Sequence, residues 1–335
     1  MFSVRSLQVV IFVDDPVWSL NNVCLVGRER PRLDNVSLRI HSGITAVMGC
    51  SGAGKSSLLS LLAEFEQPDD GTIQFAKPEA QPSTTLPLFW SPQDYGLWSH
   101  LTVEQHVDYV LPERTKSGRS ATQWLELFEL TGLRASLPDS LSQGERSRLA
   151  VVRALASEAA VLVFDEPLVH VDPLLAYRCW RVVDEHVRTH RSTVVFSTHD
   201  PDAVLKYARN VVCLEKSRVT FSGSVDSLWH RPPTRNLAWL LGPCNWFRPS
   251  DIASEDASAE LLSREHCGVR PSQLEIRRDS SGLFRIEAIL RASFITELRL
   301  SDCHSGRQVD VFVTRLSPDI SVGEVVQLAV SLDDR

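Results

Sequence analysis

The sequence predicts an α/β fold with a small β-rich domain behind it, and three observations carry that prediction. Apolar runs such as "ITAVMG", "AAVLVFDEP" and "STVVFSTHD" end in glycine or polar residues, as buried parallel strands do. The first of them passes through glycines into the helical stretch "KSSLLSLLAEF". Beyond residue 265 the pattern changes to short alternating strands. Strands that alternate with helices imply a sheet closed by crossover helices, here with a helical insertion.

The elements follow in order. "LQVVIFV" near the N-terminus is short and lacks a small-residue cleavage site, so it reads as a strand and not as a signal peptide. Residues 17–48 read as strands, with turn residues around "GRERPR". Residues 97–157 are mostly helical by period, as in "ATQWLELFELTGL". "VVCLEKSRVTFSG" reads as a hairpin. In "RPPTRNLAWLLGPCNWFRPS" the composition shifts to Pro, Trp and Arg and marks a linker. "FRIEAIL", "ELRL", "QVDVFV" and "VVQLAV" then read as the strands of a small barrel-like domain. The expected division is a first domain over 1–235 with a helical subdomain at about 97–157, a linker over 236–264, and a β domain over 265–335.

Composition narrows the function. A chain of 335 residues has room for two domains and a sizeable core. A net charge of −7 argues against a nucleic-acid binder that relies on a bulk positive field. Seven scattered cysteines without a C-x-x-C pair fit reduced thiols better than a disulfide framework or a zinc site. No apolar run approaches the ~18 residues of a membrane span.

The chemistry lies in six short motifs. "GCSGAGKSS" comprises Gly49, Cys50, Ser51, Gly52, Ala53, Gly54, Lys55, Ser56 and Ser57, and fits G-x-x-x-x-G-K-[ST] between a strand and a helix. The glycines let backbone amides converge on a β-phosphate, Lys55 reaches the β- and γ-phosphates, and the Ser56 hydroxyl can ligate Mg²⁺. "VLVFDEP" ends a strand in Asp165, a magnesium holder opposite Ser56, and Glu166, the natural group to polarise an attacking water. Gln93 in "SPQDYGLW" follows a strand, where its amide can touch Mg²⁺ or water. "LSQGE" opens a helix with a Ser142–Glu145 capping box, a second helix terminus suited to phosphate. His199 ends "VVFSTH", placed to meet a γ-phosphate or the Glu166 carboxylate. Asp172 in "VHVDP" precedes Pro173 as a helix N-cap.

Taken together, the order of these motifs resembles the ATP-binding-cassette ATPases over roughly residues 17–230. The resemblance implies a P-loop NTPase core of the RecA-like kind with antiparallel β and helical subdomains, ATP and Mg²⁺ as cofactors, and a head-to-tail dimer. In that family Gly49–Ser57 form the phosphate loop and Asp165 and Glu166 are the magnesium and catalytic acids. Gln93 is the nucleotide sensor, with a metal contact, and His199 is the switch histidine. LSQGE is the signature: Ser142 and the Gly144 amide close over the partner subunit's ATP, and Asp172 is counted with them as a nucleotide-binding residue. The dimer is a homodimer or a pairing with a second ATPase subunit.

The sequence departs from the family at three points. Gln143 replaces the usual glycine and Glu145 the usual glutamine, while Ser142 and Gly144 remain. Val26–Gly27 stands where an aromatic followed by glycine normally stacks on adenine, and valine has no ring to stack. "GVRPSQLEI" and the strands after it resemble the accessory TOBE-type β domain of importer ATPases for molybdate, sulfate, iron, polyamines and sugars. "GITAVMGCSGAGKSSLL" is most similar to the molybdate type.

The leading expectation is therefore the ATPase subunit of a binding-protein-dependent importer, peripheral on the cytoplasmic face of the membrane. It would act with integral permease subunits, indirectly with a solute-binding protein, and without nucleic acid. Tyr95 and Trp98 beside the sensor either anchor the permease or fill the subdomain core. The alternative is a soluble cassette ATPase not coupled to transport. A small-molecule P-loop kinase is disfavoured by the signature and His199.

Overall fold

The structure is a computed structural model and describes residues 16–76, 86–112, 118–252 and 266–330. "LQVVIFV" lies outside them. The chain divides into two compact units, Met1–Val225 and Asp226–Arg335.

The first unit opens with β1 (Trp18–Leu25), β2 (Leu33–Ile40), β3 (Ile44–Met48), α1 (Lys55–Leu62), β4 (Asp70–Phe75) and β5 (Leu88–Ser91). The helices α2 (Val103–Asp108), α3 (Ala121–Leu127) and α4 (Gln143–Ala156) follow. The chain then alternates through β6 (Val161–Asp165), α5 (Pro173–His190), β7 (Thr193–Ser197) and α6 (Pro201–Tyr207), and ends on the hairpin β8 (Asn210–Glu215) and β9 (Arg218–Ser224).

Six of these strands form one sheet in the order β5-β6-β7-β3-β8-β9, parallel except for β9. Every residue of β3, β6 and β7 is buried, which is why their sequences run apolar without alternation. A three-stranded antiparallel sheet, β2-β1-β4, stands apart, and its partly exposed strands alternate. Helix α1 joins the two. Leu58, Leu59, Leu61 and Leu62 share one core with Trp18 and Val36 of the antiparallel sheet and with Val163 and Val195 of the parallel one. The Trp18 indole Nε1 donates to the Leu62 carbonyl at 3.2 Å and covers the far end of α1. A helix gripped in this way fixes the loop before it.

The hairpin turns on Lys216 and Ser217, both with positive φ (48° and 68°), as a two-residue turn matching strand twist requires. Neither is glycine, and contacts compensate. The Ser217 hydroxyl donates to the Pro31 carbonyl at 2.7 Å, and its own carbonyl accepts from the Asp34 amide at 2.8 Å.

The second unit contains α7 (Val225–His230, beginning on the boundary residue), α8 (Arg235–Leu240), β10 (Asn245–Phe247), β11 (Cys267–Val269) and β12 (Leu274–Arg278). It ends with β13 (Phe284–Arg291), β14 (Thr296–Asp302), β15 (Gln308–Val313) and β16 (Val325–Val330). Five strands make an antiparallel sheet in the order β12-β16-β13-β14-β15, with β12 and β15 at its edges. Among the described residues the ladder does not close into a barrel. The separate β10–β11 pair instead places Phe247, Cys267 and Val269 in the same core as Phe284, Leu300 and Leu328.

The stretch expected as a linker differs from expectation over 236–252, which is built into this unit. Arg270 is 2% exposed, and its guanidinium lies 3.9 Å from the Trp229 ring. It donates to the carbonyls of Ala238, Gly242 and Pro243, closing the C-terminal end of α8. The Asn245 side chain exchanges hydrogen bonds with the Phe312 backbone. Proline and tryptophan mimic a linker in composition, but a buried arginine holds the segment as structure.

Candidate active site

Helix α1 begins without a side-chain cap. Its N-cap is Gly54, with φ 105°, and among the described residues no side chain caps the first turn. An added Cβ on Gly54 would lie 2.6 Å from the Arg32 carbonyl, so only glycine fits there. Lys55 is 8% exposed, and its Nζ donates to the Gly49 and Cys50 carbonyls at 2.9 and 3.4 Å, lying back along the loop it serves. The loop borders a cavity of about 330 Å³ whose lining includes Ser51, Gly52, Gly54, Lys55, Ser56, Ser57, Gln93 and Glu166. The glycine-rich loop before α1, Gln93 and Glu166, far apart in the chain, thus line one cavity.

Topology explains the meeting. β3 ends at the loop, and β6 and β7 end at Asp165 and Ser197, which are paired in register. Ser197 was not singled out from the sequence, yet its hydroxyl serves both acids. It donates to Asp165 Oδ1 at 2.5 Å and accepts from the Glu166 amide at 2.8 Å. Its only sequence signal is its place at the end of a strand, two residues before His199. Glu166 has φ 51°, a strained left-handed conformation for a non-glycine residue, and Leu168 has φ 62°. His199 Nδ1 stands 3.7 Å from Glu166 Oε1.

The "GRERPR" stretch contributes more than a turn. Arg30, Pro31 and Arg32 also line the cavity. Arg32 makes a two-pronged ion pair with Glu66 (2.8 and 2.9 Å) and donates from Nε to Ser57 Oγ at 3.0 Å. The Arg32 hydrogen bond, aided by Ser60, holds the Glu66 carboxyl below its ordinary range, and the Glu66 hydrogen bond raises the Arg32 guanidinium.

Ser142, Gly144 and Asp172 do not line that cavity. Ser142 caps α4 in a closed box. Its amide and its hydroxyl both donate to Glu145 Oε2 at 2.8 Å, and the Glu145 amide donates back to Ser142 Oγ at 3.3 Å. These bonds, the backbone one first, lower the Glu145 carboxyl from its ordinary value. A Cβ on Gly144 would lie 2.6 Å from the His170 carbonyl, so glycine there lets the α4 start pack against the loop that follows Glu166. Ser147 reinforces that contact by accepting from the Leu168 amide at 2.9 Å. Asp172 is the N-cap of α5 and accepts from the Leu174 and Leu175 amides.

The loop after Gln93 is tied to α4 through Arg153. Its guanidinium donates to the Gly96 and Tyr95 carbonyls at 2.8 and 3.0 Å and faces the Phe89 and Trp98 rings at 5.4 and 4.8 Å. Burial pushes Arg153 down to about 10. His106 accepts from the Trp98 amide at Nε2 and therefore donates from Nδ1 to the Thr102 carbonyl. Trp98 is held on its ring faces yet 41% exposed, and Tyr95 is half-buried, so neither ring is wholly core.

Residues 33–169 match the ABC transporter family. A sulfate/thiosulfate import ATP-binding protein, CysA, of Thermosynechococcus vestitus is 33% identical over 286 residues, covering 80% of this chain and 82% of that relative. The chain belongs to the ABC transporter family. The CysA of Brucella melitensis is 36% identical over 296 residues, covering 73% of this chain and 82% of the relative. CysA 2 of Rhizobium meliloti is 35% identical, but the chain covers only 62% of its length. A dimeric ATP-binding cassette solved with ADP and phosphate after hydrolysis shares the fold. Its TM-score is 0.53 at 22% identity, over 62% of this chain and 98% of that one. The ABC protein is accordingly an ATPase that uses ATP with Mg²⁺. Among its described residues no helix is long and apolar enough to cross a membrane.

Proposed function

We propose that this ABC ATPase is the ATP-hydrolysing subunit of an importer, working as a head-to-tail pair on separate permease subunits at the cytoplasmic face of the membrane. The observation that carries the reading is the division of the machinery. Lys55, Ser56, Gln93 and Glu166 share one cavity, and the LSQGE helix start lies outside it. Such a chain supplies half of each of two composite sites.

In this reading Lys55 meets the negative charge of the β- and γ-phosphates and the open amides of α1 hold the β-phosphate. Ser56, Gln93 and Asp165 offer the hard oxygen donors that suit Mg²⁺, which, when bound, neutralises charge on the β- and γ-oxygens. Ser197 orients Asp165 and the Glu166 backbone together. Glu166 takes a proton from the attacking water, and His199 steadies the Glu166 carboxylate or the γ-phosphate. Ser142 and the Gly144 amide of the partner close the site. The Ser142 hydroxyl donates to Glu145 within its own chain, so it must turn to reach a phosphate.

The relatives named for sulfate and thiosulfate import support a tetrahedral oxyanion as the imported solute, a class that includes molybdate. Trp98 and Tyr95, next to the sensor, supply the surface proposed to meet the permease. The test is ATP hydrolysis by the subunit reconstituted with its permease and binding protein in vesicles. Stimulation by sulfate, thiosulfate or molybdate supports the reading. Hydrolysis indifferent to membrane partners and to every solute favours a soluble cassette ATPase.

A further inference from the structure

We propose that Arg30 is a nucleotide-binding residue that grips the phosphate chain from the open side of the loop, in place of binding energy the chain cannot draw from a stacked adenine ring. The inference rests on the phosphate-loop reading above and adds a residue to it.

The segment carrying Arg30 is held firmly against the loop. The Pro31 carbonyl accepts from Ser217, the Arg32 amide donates to the Leu25 carbonyl at 2.8 Å, and the Arg32 carbonyl crowds Gly54. The two arginines of the segment then part ways. Arg32 is occupied by Glu66 and Ser57. Arg30 makes no hydrogen bond or ion pair among the described residues. Its Nη2 lies 2.9 Å from the place a Cβ on Gly52 would take, and it lines the same cavity as Lys55 and Ser56.

Two unneutralised cations, Arg30 and Lys55, therefore face one space with the uncapped amides of α1. The carboxylate lining it is Glu166. A guanidinium fork fits phosphate oxygens two at a time, which makes a nucleoside di- or triphosphate the chemistry that completes the arrangement. Val26, where the family carries its ring, is 67% exposed and offers nothing to stack on the base. Recognition is then weighted towards phosphate and away from base.

The test measures binding of ATP, GTP and inorganic tripolyphosphate to the full chain and to its Arg30→Ala, Arg30→Lys and Lys55→Ala variants. Each is measured at low and at physiological salt. Arg30→Ala should weaken all three ligands roughly tenfold, the scale of a lost charge-assisted hydrogen bond. Arg30→Lys should fall between, and the deficit should shrink with salt. Because Arg30 is exposed, ligand-free melting should not change. Wild-type binding of all three ligands by Arg30→Ala would overturn the proposal. So would a loss confined to ATP, which would mean that the guanidinium reads the base. Lys55→Ala separates the two levels: if it binds nucleotide normally, the loop assignment itself fails, whatever Arg30 does.

Discussion

Helices α1 and α4 both begin where phosphate chemistry is expected, and they begin in opposite ways. α1 starts on a left-handed glycine with no side-chain cap, against a cavity edged by Arg30, Lys55 and Gln93. α4 starts on a serine whose hydroxyl and amide are already engaged by Glu145. The first terminus has no side-chain cap and borders a cavity, which is what the proposed binding of a ligand from solution requires. The second is satisfied within its own chain and carries a carboxylate, so it suits a ligand presented already bound elsewhere. Free amides at a buried helix start cost free energy unless something accepts from them. The glycine start of α1 carries that cost, and the capping box of α4 avoids it.

The largest effect should come from the open terminus. Lys55→Ala is expected to lower ATP turnover about a hundredfold or more, since it removes the charge facing the transferred phosphate. Asp165→Asn should weaken magnesium dependence. Normal turnover in either variant would break the comparison at its first half.

The second half is tested by mixing two inactive proteins, Lys55→Ala and Ser142→Arg. If LSQGE acts in trans, a mixed dimer contains one doubly damaged site and one intact site, and should retain nucleotide at the latter. Retention no greater than that of either parent, with mixed dimers confirmed by mass, would show that α4 serves its own chain.

Ser197→Ala sharpens the comparison on the side of the acids. Losing one hydroxyl that orients Asp165 and Glu166 together should cost about tenfold in kcat, the scale of one hydrogen bond, with little change in KM. An equal loss in KM would assign Ser197 to nucleotide binding instead.

Glu145→Gln should produce a smaller change. The glutamine keeps the box but removes the charge, so the α4 start should lose under about 1 kcal/mol at neutral pH. On the proposed trans arrangement, ATP-driven dimerisation should tighten a few-fold, because the variant removes a negative charge from the surface that would meet the partner's phosphates. The pH dependence has a definite sign. The Glu145 carboxyl is lowered from its ordinary 4.5, so its stabilisation is present above 4.5 and is lost as pH falls through the folded value. Melting profiles below 4.5 should therefore be flatter for the variant. Identical profiles would remove Glu145 from the account.

The mildest expectation concerns the base. Without a ring at Val26, ATP should be preferred to GTP by about tenfold or less, given that stacking is worth about 1–3 kcal/mol. A thousandfold preference in competition binding would mean that another group reads adenine.

Much of this molecule was determined by local sequence. The continuous apolar runs predict β3, β6 and β7, and glycine spacing predicts the phosphate loop. The Ser-x-x-Glu box predicts the start of α4, because caps, loops and buried strands depend on neighbours a few residues away. Tertiary structure decided what lies beyond that reach. It made Ser197 the shared partner of two acids by laying β7 beside β6. It spent Arg32 on Glu66 while leaving Arg30 over the loop, and composition alone makes the two arginines equivalent. It turned a Pro- and Trp-rich stretch from an expected linker into structure by burying Arg270 against it. In each case the deciding contact joins residues distant in sequence, and a side chain's role there depends on which partner the fold brings within hydrogen-bonding distance.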